Sequence, residues 1–191
     1  MWNLAESVVS AVVRVLAVLW RRLYARLFCT FICDYRVPTY QPALWNDGGF
    51  VQSHNNCYNY GCHQRNNTFA QPGYASGIPG EPAPTCAGVT QRAMADGLIS
   101  HPCHTACTGR CCHPVALVIW PGVDYHWYRL DTAGSWWSHK PGPTPATNLD
   151  ESNAMISDPA VANRGPYTEY CGCFCRCTCT VKSLRGVYPP S

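Results

Sequence analysis

Val115-Ala116-Leu117-Val118-Ile119-Trp120-Pro121-Gly122-Val123-Asp124-Tyr125-His126-Trp127-Tyr128-Arg129-Leu130-Asp131 is the stretch that decides the fold. Its first six residues are continuously apolar, which predicts a strand covered on both faces. Pro121-Gly122 predicts a turn, Tyr125 to Asp131 a second strand, and Ala133-Gly134 a second turn. Ser135 to Lys140 predicts a third strand, stopped by Pro141-Gly142-Pro143. Upstream, Asn55 or Asn56 is a good helix N-cap, so Cys57-Tyr58-Asn59-Tyr60 opens a short helix. Thr90 to Leu98 predicts another helix, ended by Gly97. The expected class is α+β, with a small antiparallel sheet packed on a Cys-bearing helix.

Composition sets the outer limits. A chain of 191 residues holds one domain with a real core. A net charge of +3 with 13% charged residues leaves no electrostatic footprint for nucleic acid. The 15 Gly and 16 Pro favour a loop-rich, strand-containing body over a helical bundle.

Residues 1–33 stand apart from that body. Val8 to Trp20 is apolar except for Ser10 and Arg14. Asn3, Ser7, Ser10, Arg14 and Arg21 fall in one narrow stripe at helical spacing. The stripe, the following Arg cluster and the flanking Trp20 and Tyr24 predict an amphipathic or membrane helix, with Cys29 and Cys33 as acylation candidates. The expected organisation is a membrane-associating helix over 1–33, a linker over 34–45, a domain over 46–170 and a Cys-rich tail over 171–191, in a membrane-associated protein.

Fourteen cysteines are too many to share one role. They are clustered rather than evenly spread, unlike most disulfide frameworks. Cys103, Cys107 and Cys111 repeat every four residues, and with His113 they offer four N or S donors for zinc. Cys171, Cys173, Cys175, Cys177 and Cys179 alternate, so a strand points all five thiols to one face. Neighbours two apart on a strand do not reach disulfide geometry. That leaves a soft metal, acyl chains, or pairing with the Cys103–Cys112 cluster across a sheet.

Cys57 is set apart by its context. A thiol needs a base to act as a nucleophile at neutral pH, and His is the commonest base. His126 lies on the strand after the buried one. A three-residue loop at the second turn puts His126 and His139 on opposite faces, and a four-residue loop puts them directly opposite each other. A two-residue loop at Ala133-Gly134 puts Tyr128 opposite His139 and makes His126 a diagonal neighbour of His139 on one face. His139 is then a candidate orienter, with Asn148 or Asp150 as alternatives.

Cys57-Tyr58-Asn59-Tyr60 resembles the Cys-aromatic-x-aromatic nucleophile motif of papain-like thiol enzymes, and a Cys-His-His set resembles their NlpC/P60 branch. The resemblance covers a few residues only. The flanking Gly and second Cys of that motif are replaced by Asn56 and His54. It implies a papain-like half-barrel, Gln52 as an oxyanion donor, and no cofactor for catalysis. The strings around these residues also resemble a little-studied bacterial and viral family. The implied function is a membrane-associated thiol hydrolase, cleaving a peptide, peptidoglycan or lipid-ester bond through a thioester. The alternative is a non-enzymatic cysteine-rich interaction protein stabilised by zinc or disulfides.

Overall fold

The computed structural model describes residues 38–103, 105–108, 111–131, 136–178 and 180–188. The expected membrane helix over 1–33 lies outside them. Among the described residues no helix is long and apolar enough to cross a membrane.

Five antiparallel strands form one sheet: β1 (Ile99–His101), β2 (Cys112–Trp120), β3 (Asp124–Asp131), β4 (Trp136–His139) and β5 (Glu169–Cys177). Their spatial order is β1-β5-β2-β3-β4. β2 and β3 form the expected hairpin, Val115 opposite Arg129 through Trp120 opposite Asp124. Its turn is closed by the Val123 N–H donating to the Trp120 carbonyl at 3.0 Å. β2 starts three residues earlier than its apolar run because Cys112, His113 and Pro114 pair with β5. Tyr128 pairs with His139, so the register that makes His126 and His139 diagonal neighbours is the one adopted.

Helices are few and short: α1 (Phe50–His54), α2 (Cys57–Gly61) and α3 (Cys86–Ala95). The Asn56 side chain caps α2 by accepting from the Tyr58 and Asn59 N–H groups, while its own N–H donates to Asn59 Oδ1. Thr85 caps α3 by accepting from the Gly88 N–H at 3.1 Å. This start lies four residues before the apolar pattern, because the cap decides it. The helix ends at Ala95, short of the expected Leu98 and two residues before Gly97, whose φ of +107° suits a residue without Cβ.

α2 and α3 cover one face of the sheet. There Tyr58, Val89 and Ala93 pack on Val115, Leu117, Trp127 and Phe174. The other face carries Ala116, Val118, Tyr128, Trp137, Ile156 and Cys173. Burying apolar side chains on both faces is the main stabilising term, at roughly 1.5–3 kcal/mol per large side chain.

The expected papain-like half-barrel is corrected by this architecture. Among the described residues a five-stranded antiparallel sheet dominates, and the α-helices are three short segments. The physical reason lies in β5. Its alternating cysteines complete the sheet between β1 and β2, and disulfides replace the packing that a larger helical lobe would supply.

Candidate functional site

Disulfides organise one face of the sheet and one helix. Cys173 is bonded to Cys103, Cys175 to Cys107, and Cys177 to Cys112. These three β5 residues share one face by strand alternation, and the segment leading into β2 is fastened along it. Cys171 breaks the alternation. The β2–β5 register shifts between Leu117, opposite Gly172, and Val118, opposite Tyr170, leaving Cys171 as the extra residue. Gly172 takes φ +103° there. This β-bulge turns Cys171 to the helix side, where it is bonded to Cys86 at the start of α3.

The zinc reading of Cys103, Cys107, Cys111 and His113 is corrected accordingly. The first two are in disulfides, and Cys111 is disulfide-bonded as well. His113 Nε2 lies 2.7 Å from the Gly61 carbonyl, on the helix side. His101, Cys107 and Cys175 bring ligand atoms within 4.8 Å of one another, but the two sulfurs are bonded to each other. Sulfur in a disulfide lacks the thiolate charge that zinc binding needs.

Cys57 and Cys62 keep free thiols, both buried. Cys57 Sγ lies 4.0 Å from the Tyr125 carbonyl, and the Trp127 backbone N–H also acts on it. Those are the two peptide groups flanking His126. β4 pairs with β3 only from Tyr128 onward, so the thiol occupies the free edge of β3 beside His126. Burial pushes the thiol pKa up, and the nearby Asp124 carboxylate adds to the shift. The resting group is therefore SH. Among the described residues no hydrogen bond joins Cys57 Sγ to a His ring.

His126 and His139 form a relay. His126 Nε2 and His139 Nδ1 are 2.8 Å apart, and His139 Nε2 lies 2.9 Å from the Leu149 carbonyl. A carbonyl only accepts, so His139 carries its proton on Nε2. Its Nδ1 is then an acceptor, and His126 must donate from Nε2. The tautomers follow in turn, and the lone pair of His126 falls on Nδ1. Burial lowers the pKa of both rings, for His126 with the neighbouring His139 adding to it. Tyr128 packs edge-on to His126 at 5.1 Å and stacks on His139 at 4.9 Å. Tyr167 lies over His126 at 5.4 Å and donates to Asp124 Oδ2 at 2.8 Å.

The remaining candidates lie elsewhere. The Gln52 side chain donates to the Pro143 carbonyl at 3.4 Å. Asp150 accepts from the Ser152, Ala154 and Asn163 N–H groups and knots its own loop. The Asn148 carbonyl accepts from the Ile156 N–H. It is the backbone of Leu149, between these two, that meets His139.

Lys140 and Tyr167 were not singled out by sequence reading. Lys140 is fully buried, and its ammonium donates to the Gln52, Asn55 and Gly142 carbonyls at 2.5, 2.5 and 2.9 Å. It ties the α1–α2 junction to the end of β4. Its signal was its place directly after His139 at the end of a strand. Tyr167 gave no signal, since nothing local places it over a residue 41 positions earlier.

No family model matches the chain, and no solved structure matches it. Over 149 residues it is 44% identical to insoluble matrix shell protein 1 of Ruditapes philippinarum, covering 74% of this chain and 89% of that protein. This relative corrects the resemblance to papain-like thiol hydrolases and to a bacterial and viral family. It likewise overturns the expectation of a membrane-associated protein, because the relative is named for an insoluble matrix. The chain belongs to the family of insoluble matrix shell protein 1.

Proposed function

We propose that this chain is a disulfide-stabilised structural component of an extracellular insoluble matrix of the shell type. The observation that carries the reading is the disulfide set along β5, taken together with the family. Four disulfides join described residues across sequence separations of 65 to 85. Such bonds persist in oxidising compartments and not in a reducing cytosol. Composition supports a framework role over a cation-sequestering one. With 14 basic against 11 acidic residues, the chain lacks the dense carboxylate that hard cations need.

The test is localisation by antibody or peptide mass spectrometry in tissue that lays down such a matrix. The chain is expected in the fraction left insoluble after mineral and soluble protein are removed, with its β5 cysteines oxidised. Recovery in the cytosol with reduced cysteines would overturn the proposal.

A further inference from the structure

We propose that Cys57, His126 and His139 form a thiol–imidazole site that takes up an acyl group from a carboxamide or ester and passes it to an amine. The thiol chemistry goes beyond the matrix role and does not depend on it. The choice of an amine acceptor rests on that role, since an amide link between chains is what an insoluble matrix requires.

Three observations meet at one place. Cys57 keeps its thiol while the β5 cysteines around the sheet are oxidised. Its Sγ sits at the free edge of β3, against the peptide groups on either side of His126. His126 is 4% exposed, and its relay through His139 to the Leu149 carbonyl leaves the lone pair on Nδ1. Among the described residues nothing donates to that nitrogen. Holding an imidazole in one tautomer through two further hydrogen bonds is more than a packing role asks for. A buried His serving packing alone is satisfied by any partners. Here one ring nitrogen is left unprotonated, and the peptide groups on either side of that ring are the ones that contact the protonated Cys57 thiol.

Approach to the site is defined by its neighbours. Tyr125, whose carbonyl meets Sγ, also lines a cavity of about 200 Å³ with Asp124, Gln71, Val89 and Arg92. Tyr167 roofs His126 and is tied down by its bond to Asp124. The lining of this cavity ends at Asp124 and Tyr125, beside the residues that contact Cys57 and His126, and movement of Tyr167 uncovers the base.

The steps balance without an oxidant or metal. The Sγ–H proton passes to His126 Nδ1 as Sγ bonds to the carbonyl carbon. The donor C–N or C–O bond breaks, and the leaving ammonia or alcohol takes that proton. An amine then attacks the thioester carbon and the C–S bond breaks. The proton shed by the amine returns through His126 to Sγ. His139 touches His126 and not the substrate, so it is a positioning residue.

The experiment uses the oxidised full chain with two probes. p-Nitrophenyl acetate tests an ester donor, and a glutamine-containing peptide, read by ammonia release, tests a carboxamide donor. Dansylcadaverine is the amine. Acylation of Cys57 located by mass spectrometry, abolished in C57S and unchanged in C62S, is the expected result. H126A should slow it by about 10²- to 10⁴-fold. H139Q should retain more activity than H139A, because a Gln carboxamide also accepts from His126 and donates to Leu149. A purely structural His139 would give no such ranking at matched thermal stability. Equal labelling of Cys62, no label on Cys57 with either probe, or an H126A rate equal to wild type overturns the site. A Cys57 thioester that is released only to water overturns the transfer step and leaves the matrix reading standing.

Discussion

Cys86, the first residue of α3, is bonded to Cys171, the residue at which β5 slips its register against β2. With Cys103 already bonded to Cys173, this bond closes a further loop of roughly 20 residues in the unfolded chain, which in the chain-entropy account stabilises the fold by about 3 kcal/mol. C86S/C171S should therefore lower the denaturant midpoint strongly with little change in slope. A shift worth less than about 1 kcal/mol in urea titration would show that the bulge and the packing of α3 hold without the bond.

Buried histidines make the fold sensitive to acid. Burial holds His126 and His113 well below the ordinary value, and lowers His63 to about 4. Their folded pKa values are depressed, so the unfolded chain binds protons first, near pH 6.5. The contribution of these groups is fully present above pH 6.5 and is lost as pH falls toward the folded values. Each fully buried His steepens the loss by about 1.4 kcal/mol per pH unit over that window. Thermal melts should show a lower midpoint at pH 5 than at pH 7.5 with the disulfides intact. A flat profile would contradict the neutral relay.

Lys140 holds three carbonyls from two parts of the chain with one ammonium. K140M keeps the bulk and removes every donor. The buried Asn55 carbonyl and the half-buried Gln52 and Gly142 carbonyls then lack this partner, and a loss of about 3 kcal/mol is expected. Hydrogen exchange should rise first around the α1–α2 junction. An unchanged melt would mean that water enters and replaces the ammonium.

Two glycines separate collision from conformational strain. Gly97 has φ +107° and Gly77 φ +73°. A Cβ on Gly97 would run into the Thr180 carbonyl, whereas one on Gly77 meets nothing within 4 Å. G97A should cost about 2–3 kcal/mol and G77A about 1 kcal/mol. Equal losses in paired melts would show that the Thr180 segment moves aside freely.

Much of the sheet was legible in the sequence, because Val115–Trp120 and Tyr125–Asp131 carry strand signals that need no tertiary help. The Tyr128–His139 pairing was one of a few registers the hairpin allowed. Three things were hidden. Pairing of the alternating cysteines with the Cys103–Cys112 cluster was one of three alternatives and is the one adopted, but which cysteine takes which partner is not encoded by spacing along the chain. The bulge at Cys171 was invisible as well, because a perfectly alternating run gives no sign of where it slips. The orienting partner of His139 is a main-chain carbonyl, at Leu149, and no side-chain pattern announces a carbonyl. The family resemblance misled for a related reason. A four-residue motif around Cys57 reports local helix-start chemistry, which unrelated chains share.

β5 lies between β1 and β2 although it follows both in the chain. During synthesis β2 and β3 can pair as soon as they emerge, but the opposite edge of β2 stays open until residue 169 and beyond have been made. Cys86, Cys103, Cys107 and Cys112 all wait for partners on that same late strand. Oxidation therefore has to follow placement of the strand rather than guide it. A chain interrupted before Glu169 carries an unpaired strand edge and a row of unspent thiols, the two features that join a nascent chain to the wrong neighbour.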